Sequence, residues 1–235
     1  MSAVFKREFR AFFTSPLGYV VLAALGFFAG LFFYLINIVG FSSDLSYVFS
    51  NMFAFILIVL PLVTMRLFSE EKRQKTDQAL LTSPVSLTGI VLGKYFAALL
   101  VYALSLLEMI VFAMIVAFQV TPDWTVFLGN CIGILLIGGF IISIGLLISS
   151  LTESQLIAAI GTLGISFMLL LMDSVAYQFS RIKVLTTVIN FLSVSQRYSS
   201  FTSGVIAYDD IIYFVSMQAL MLFLTVRVLD RKRWG

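Results

Sequence analysis

The stretch from Trp124 to Met172 reads WTVFLGNCIGILLIGGFIISIGLLISSLTESQLIAAIGTLGISFMLLLM, and its only charged residue is Glu153. A helix needs about 20 mostly apolar residues to cross the hydrocarbon core of a bilayer. The uncharged runs on the two sides of Glu153 each reach that length. The stretch therefore predicts two membrane-spanning helices joined by a tight turn between Ser149 and Ser154.

The same pattern extends over the whole chain of 235 residues, of which 60% are hydrophobic and 11% charged. Soluble domains carry about 25% charged residues, so the composition excludes an ordinary soluble domain. The apolar runs predict six spans, at 17–40, 48–67, 90–118, 125–149, 155–173 and 209–228. We therefore predict an all-α integral membrane protein with a single domain over residues 1–235.

Residues 1–15 predict a short amphipathic helix that lies in the membrane interface. Phenylalanines at positions 5, 9, 12 and 13 share one helical face, and basic residues at 6, 7 and 10 share another. The alternative is a frayed start to the first span. The uncharged stretch 11–43 exceeds the 7–15 apolar residues typical of a signal peptide, so we predict a retained span after Pro16.

The distribution of Lys and Arg predicts the orientation of the chain in the membrane. With the N-terminus inside, only Arg181, Lys183 and Arg197 of the 15 basic residues lie outside. Positive charges concentrate in cytoplasmic loops. We therefore expect a multi-pass protein of the plasma (inner) membrane with both termini in the cytoplasm.

Two segments lie between the spans. Residues 174–208 are too polar to span and too apolar for a free loop, so they predict one or two interfacial helices on the extracytoplasmic side. The segment 69–88, here called the polar segment, lies on the cytoplasmic side, and Glu71 and Lys75 favour a helix at its start. It is either a docking element for a soluble partner or a solvated loop whose charges fix the topology.

Several classes of activity have no support in the sequence. The chain has no histidine and one cysteine, Cys131, so histidine-dependent hydrolytic sites are excluded and no intrachain disulfide forms. Gly89 to Lys94 resembles a phosphate-binding loop only superficially, because three residues separate its glycines and Tyr95 follows the lysine. No basic face with interleaved aromatic residues indicates nucleic-acid binding.

Glu108 is the only charged residue well inside an apolar run. A carboxylate there costs at least a few kcal/mol unless it is paired, hydrated or protonated. It either lines a translocation path or subunit interface, or is satisfied by a neighbouring Ser or Tyr or by the outer headgroups. Small-residue spacings also favour close helix contacts, within one subunit or between two, at Gly26/Gly30, Gly89/Gly93, Gly129/Gly133 and Gly161/Gly164.

The run SEEKR at 69–73, with Thr76, LLTSPVS at 80–86 and LGKY at 92–95, resembles the signature of ABC-2 type permeases. These are the membrane subunits of ATP-binding-cassette (ABC) exporters, and the similarity is greatest to the gliding-motility branch. The resemblance extends over the whole chain, to the tail TVRVLDRKRW at 225–234. It departs at Lys75, where many members have glycine, and at Gln78, where many have an acid.

The resemblance implies an N-terminal amphipathic helix, six spans and an outer helical hairpin before the last span. It also implies a partner ABC ATPase, which would bind ATP and magnesium, and a second permease chain, identical or related. The polar segment would contain the helix that docks on the ATPase, with Leu80 and Leu81 as the buried contact. The residues implied in coupling are Glu70, Glu71, Lys72, Arg73, Thr76, Leu80, Leu81, Thr82, Ser83 and Pro84.

The sequence therefore predicts a permease subunit of an ABC exporter with no enzymatic activity and no cofactor of its own, surrounded by membrane lipids. The alternative is a membrane anchor for an ATPase-driven surface machine that transports no solute. An ATP-independent channel or carrier is disfavoured, because such proteins usually carry more polar residues inside the membrane than Glu108 alone. Neither the substrate nor the identity of the second chain follows from the sequence.

Overall fold

The computed structural model describes residues 1–76, 85–178, 187, 189, 191–205 and 207–234, and every regular element among them is helical. This confirms the predicted all-α fold. In chain order the helices are α1 (Ser2–Thr14), α2 (Pro16–Phe33), α3 (Ser46–Thr64), α4 (Ser69–Arg73), α5 (Leu87–Ser105), α6 (Leu107–Ala117), α7 (Trp124–Leu151), α8 (Gln155–Gln178), α9 (Val194–Thr202) and α10 (Tyr208–Trp234).

Six helical stretches of the described chain are long and apolar enough to cross a bilayer, which confirms the predicted number. They are Pro16–Val39, Ser46–Arg73, Leu87–Ala117, Trp124–Leu151, Gln155–Met172 and Tyr208–Arg233. Three of them are irregular. Helix α2 continues into a π-helical turn, Tyr34–Val39, the second stretch consists of α3 and α4 with a turn between them, and the third is divided at Leu106 into α5 and α6.

Local chemistry sets several helix boundaries. Ser15 is extended and Pro16 occupies the first turn of α2, so the chain bends between α1 and the first span. The Asp123 carboxylate accepts from the backbone N–H groups of Thr125 and Val126 at 3.0 and 3.3 Å and caps α7. The separate helix predicted over residues 1–15 is therefore present as α1.

Helix α7 lies at the centre of the bundle and contacts α3, α5, α8, α9 and α10. Adjacent glycines, Gly138 and Gly139, leave room for two tyrosine side chains of α5. Tyr102 donates to the carbonyl of Ile134 at 2.8 Å, and Tyr95 donates to Gln218 of α10 at 2.7 Å. The glycine-rich sequence of α7 thus allows close packing with bonded tyrosines inside the membrane.

The small-residue pairs have different neighbours. A Cβ atom on Gly93 would lie 3.0 Å from Val4 of α1, and one on Gly133 would lie 2.8 Å from the ring of Phe201. Both glycines therefore serve contacts within this chain. Gly164 differs, because a Cβ atom there would meet no described atom within 4 Å.

Within the predicted outer helical segment, 174–208, the structure contains helix α9 and the end of α8, which extends beyond the predicted end of the fifth span to Gln178. Arg197 of α9 forms an ion pair with Asp210 of α10 at 2.8 Å, and its guanidinium lies 4.0 Å from the Tyr213 ring centroid. These contacts attach α9 to the last span. Residues 179–186, 188, 190 and 206 of the predicted outer segment lie outside the described residues.

Candidate functional site

The polar segment begins at α4, whose first turn is held by the end of α7. The Ser149 hydroxyl oxygen accepts from the backbone N–H groups of Phe68 and Ser69 at 2.9 and 3.0 Å. The Lys72 ammonium, which is buried, donates to the carbonyl oxygen of Ser150. Helix α4 is therefore fixed to the fourth span at two consecutive residues.

Four charged side chains connect α4 to α1 and α5, and we call Arg7, Glu8, Glu71 and Lys94 the ion cluster. The Lys94 nitrogen lies 3.0 Å from a Glu71 carboxylate oxygen and 3.1 Å from a Glu8 oxygen. Arg7 forms ion pairs with both glutamates, at 2.6 Å to Glu71. Two positive and two negative charges thus balance between three helices.

Lys94 is the most deeply buried member of the ion cluster, with a side chain that is 1% exposed. Its ammonium also lies 5.0 Å from the centroid of the Phe68 ring. Removing one partner of a buried ion pair leaves an uncompensated charge and costs about 3–5 kcal/mol. The cluster therefore holds α1, α4 and α5 in a fixed arrangement.

The predicted coupling residues divide into three groups in the structure. Glu71 and Lys72 are bound to other helices of this chain, and Glu70 pairs with Arg66 at 2.6 and 3.1 Å. Arg73 and Thr76 are exposed. The remaining predicted residues, Leu80, Leu81, Thr82, Ser83 and Pro84, lie outside the described residues. The docking role of the whole set stays a prediction.

The sequence prediction missed Glu8 and did not treat Lys94 as a site residue. A signal for Lys94 was present, because it is the only charged residue between Pro84 and Glu108. The physical argument applied to Glu108 applies equally to this lysine: a cation near the membrane needs partners. Which carboxylates supply them depends on how α1 folds back on α5, and helical periodicity does not determine that.

Lys75 lies two residues beyond the end of α4 and has a φ of +57°, in the left-handed region. In this region the Cβ atom of any other residue crowds the backbone, which costs about 1–2 kcal/mol. Glycine has no Cβ atom and avoids this strain. We expect Lys75→Gly to raise the free energy of unfolding by about 1 kcal/mol, measured by denaturant titration in detergent. Gln74→Gly is the matched control, since Gln74 is right-handed and should lose stability. A lower free energy of unfolding for Lys75→Gly would contradict the claim that the backbone at Lys75 is strained.

Glu108 lies in the first turn of α6, where its carboxylate meets the first span. A Cβ atom on Gly26 would lie 2.7 Å from Glu108 Oε2, so the absence of a side chain makes room for the carboxylate. Glu108 Oε1 is buried and accepts no hydrogen bond from any described residue. The described part of the chain thus offers no Ser or Tyr that satisfies this oxygen.

Neither the polar segment nor the surroundings of Glu108 form a metal centre, because the described residues contain no group of three or more His, Cys, Asp or Glu side chains suited to a metal ion. The polar segment is suited instead to transmitting a displacement, since it is bonded to α1, α5 and α7. Glu108 is suited to receiving a hydrogen-bond donor.

Comparison with known proteins adds one result to this geometry. The sequence profile of a protein family, described as "ABC-2 family transporter protein", matches residues 2–233. The comparison with curated proteins found no match. The profile describes the family as a whole, so the assignment to its gliding-motility branch stays a prediction.

Proposed function

Because this chain belongs to the ABC-2 family of transporters, we propose that it is the permease of an exporter driven by a separate ABC ATPase. Family membership makes the chain a membrane component of an ABC transporter and implies an ATPase partner in general. The proposal adds outward transport, coupling through the polar segment, and a second permease chain. It also adds the inner membrane as the location, with both termini in the cytoplasm.

Coupling through the polar segment is supported by the way α4 is attached. The Ser149 hydroxyl binds the backbone N–H groups at its start, the Ser150 carbonyl binds Lys72, and Arg7 and Lys94 bind Glu71. Packed elements move as bodies rather than deforming continuously. A displacement of α4 by the ATPase would therefore reach α1, α5 and α7 together, and this is the single observation that carries the proposal.

The surface offered to the ATPase begins at the exposed end of α4. Arg73 and Thr76 are free of the contacts that hold Glu71 and Lys72 inward. In the proposal, Leu80 and Leu81 follow as the apolar contact, and the exposed polar residues form its rim. ATP and magnesium would bind on the ATPase, and the permease would supply the moving spans.

The contact is tested by co-purification from the native host in detergent. We expect the parent chain to recover an ABC ATPase and the variant Leu80→Asp/Leu81→Asp to lose it, because two carboxylates would be desolvated in the interface. The control is Phe41→Asp/Phe118→Asp, which changes two phenylalanines that are 93% and 90% exposed in loops between other spans. Recovery by the leucine variant, or failure of the parent chain to recover an ATPase, would contradict the proposal.

A further inference from the structure

The last span, α10, ends in a strongly basic segment. Between Arg227 and Arg233 it carries four basic residues and one acidic residue, Asp230. Among the described residues, the only ion pair of this segment joins Arg227 Nη1 to Asp230 Oδ2 at 3.8 Å, and the two side chains are 63% and 41% exposed. Such an exposed pair is weak. The segment therefore presents a net positive charge at one end of a membrane-spanning helix.

A cavity of about 620 Å³ lies between this basic segment and the end of α7. Leu147 lines it from α7, and four of the five lining residues of α10 follow the i, i+3, i+4, i+7 spacing of one helical face. The volume falls within the range of small-ligand sites. The lining residues are Leu147, Leu224, Arg227, Val228, Asp230 and Arg231.

The lining changes from apolar to basic along α10. Leu224 comes first, Arg227 and Val228 follow one turn later, and Arg231 lies one turn beyond them. Leu224 is exposed, and most of the last span is not buried in the bundle, so the apolar end of the cavity faces hydrocarbon. Arginine side chains at the end of a span extend toward the headgroup region. This order matches the acyl chain and the phosphate of a phospholipid.

We propose that this cavity binds an anionic phospholipid, with its phosphate between Arg227 and Arg231 and the start of an acyl chain against Leu147 and Leu224. Guanidinium groups match the geometry of phosphate oxygens, and such charge-assisted hydrogen bonds are the strong ones. Basic pockets between membrane helices bind anionic headgroups in this way. A zwitterionic lipid would bring a further cation next to the two arginines, so lipids with a net negative charge are favoured.

The bound lipid lies at the same end of the bundle as the polar segment. Leu147 is two residues before Ser149, whose hydroxyl accepts from the backbone N–H groups at the start of α4. The lipid therefore contacts the part of α7 that holds α4. The inference does not depend on the proposed ATPase contact, because this chain alone forms the cavity.

Binding is tested on the purified full chain in detergent by native mass spectrometry, with dioleoylphosphatidylglycerol as the anionic lipid and dioleoylphosphatidylcholine as the zwitterionic lipid. We expect the anionic lipid to bind more tightly, and Arg227→Gln/Arg231→Gln to weaken its binding about tenfold, which corresponds to about 1.4 kcal/mol. The control Lys6→Gln/Arg10→Gln removes two exposed cations from α1 and should leave binding unchanged. Free glycerol phosphate, which has no acyl chain, should bind far more weakly than the lipid.

Two further substitutions test the cavity without removing an arginine. Asp230→Asn should strengthen binding of the anionic lipid, because it removes the acidic side chain that lines the cavity and pairs with Arg227. Leu147→Trp should weaken binding by filling the apolar end, whereas Leu128→Trp, at the exposed opposite end of α7, should not. Thermal midpoints of the parent chain and each variant report folding.

The same assays give the results that would overturn the proposal. Equal binding of the two lipids, or no binding by the parent chain, would show that the cavity is not an anionic lipid site. An equal loss from the arginine variant and from Lys6→Gln/Arg10→Gln would indicate general attraction to a basic surface. Binding of glycerol phosphate as tight as that of the lipid would assign the arginines to a free phosphate. No ATPase is present, so each of these results leaves the proposed ATPase contact standing.

Discussion

Lys94→Met is expected to lower the free energy of unfolding by about 3 kcal/mol or more, because it leaves Glu8 and Glu71 without their shared buried cation. Methionine retains most of the length of the lysine side chain, so the loss reports charge rather than volume. Titration with a denaturing detergent measures the free energy. In the proposed coupling, ATP hydrolysis by a co-purified ATPase should also depend less on the permease, because α4 would lose its ion pair with α5.

The control for this prediction is Lys6→Met, which removes a cation from the exposed face of α1. An exposed charge contributes about 0–1 kcal/mol, so Lys6→Met should be nearly neutral. The variant Glu71→Gln/Lys94→Met should recover part of the stability, since it leaves one carboxylate, Glu8, balanced by one cation, Arg7. A loss equal to that of Lys6→Met would show that the ion cluster does not hold these helices together.

Gly138→Ala is expected to have the second large effect, because its Cβ atom would lie 2.0 Å from Tyr102 Cε1. Tyr102 is fully buried and its hydroxyl donates to Ile134, so the ring has no free space into which it can move. Overpacking of this kind costs about 1–3 kcal/mol, and here it also threatens a hydrogen bond inside the membrane. The thermal midpoint in detergent should fall accordingly.

Gly164→Ala provides the matched control for Gly138→Ala. Its Cβ atom would meet no described atom within 4 Å, and alanine is favoured over glycine in a helix by about 1 kcal/mol. We therefore expect Gly164→Ala to leave the thermal midpoint unchanged or to raise it. Equal losses from the two substitutions would contradict the close approach of α5 to α7.

Hydropathy predicted most of the fold, because a span is a local property of about 20 residues. The six spans, the helix over residues 1–15 and the boundary at Pro16 all follow from patterns within one short window. The division of the third span at Leu106 did not follow, since no proline or glycine marks it. The break coincides with Glu108, which it places in the first turn of α6.

The candidate site was less predictable, because its contacts join residues distant in sequence. The family resemblance implied that Glu71 and Lys72 take part in coupling to an ATPase, and that role stays a prediction. The structure shows that Glu71 is bound to Lys94 and Arg7, and Lys72 to Ser150, which the sequence did not predict. Charge alone does not distinguish a solvated helix face from one that packs on its own bundle, so the exposed residues Arg73 and Thr76 become the better markers of the proposed docking surface.

The central claim, that an ABC ATPase contacts this permease at the polar segment, is tested most directly by site-specific photo-crosslinking in native membranes. A crosslinking amino acid replaces Thr76, at the exposed end of the described segment, or Phe118, which is 90% exposed between the third and fourth spans. The account predicts that position 76 captures a protein with a nucleotide-binding P-loop and that position 118 does not. Capture of that ATPase at position 118 and not at 76 would contradict both the coupling site and the proposed orientation.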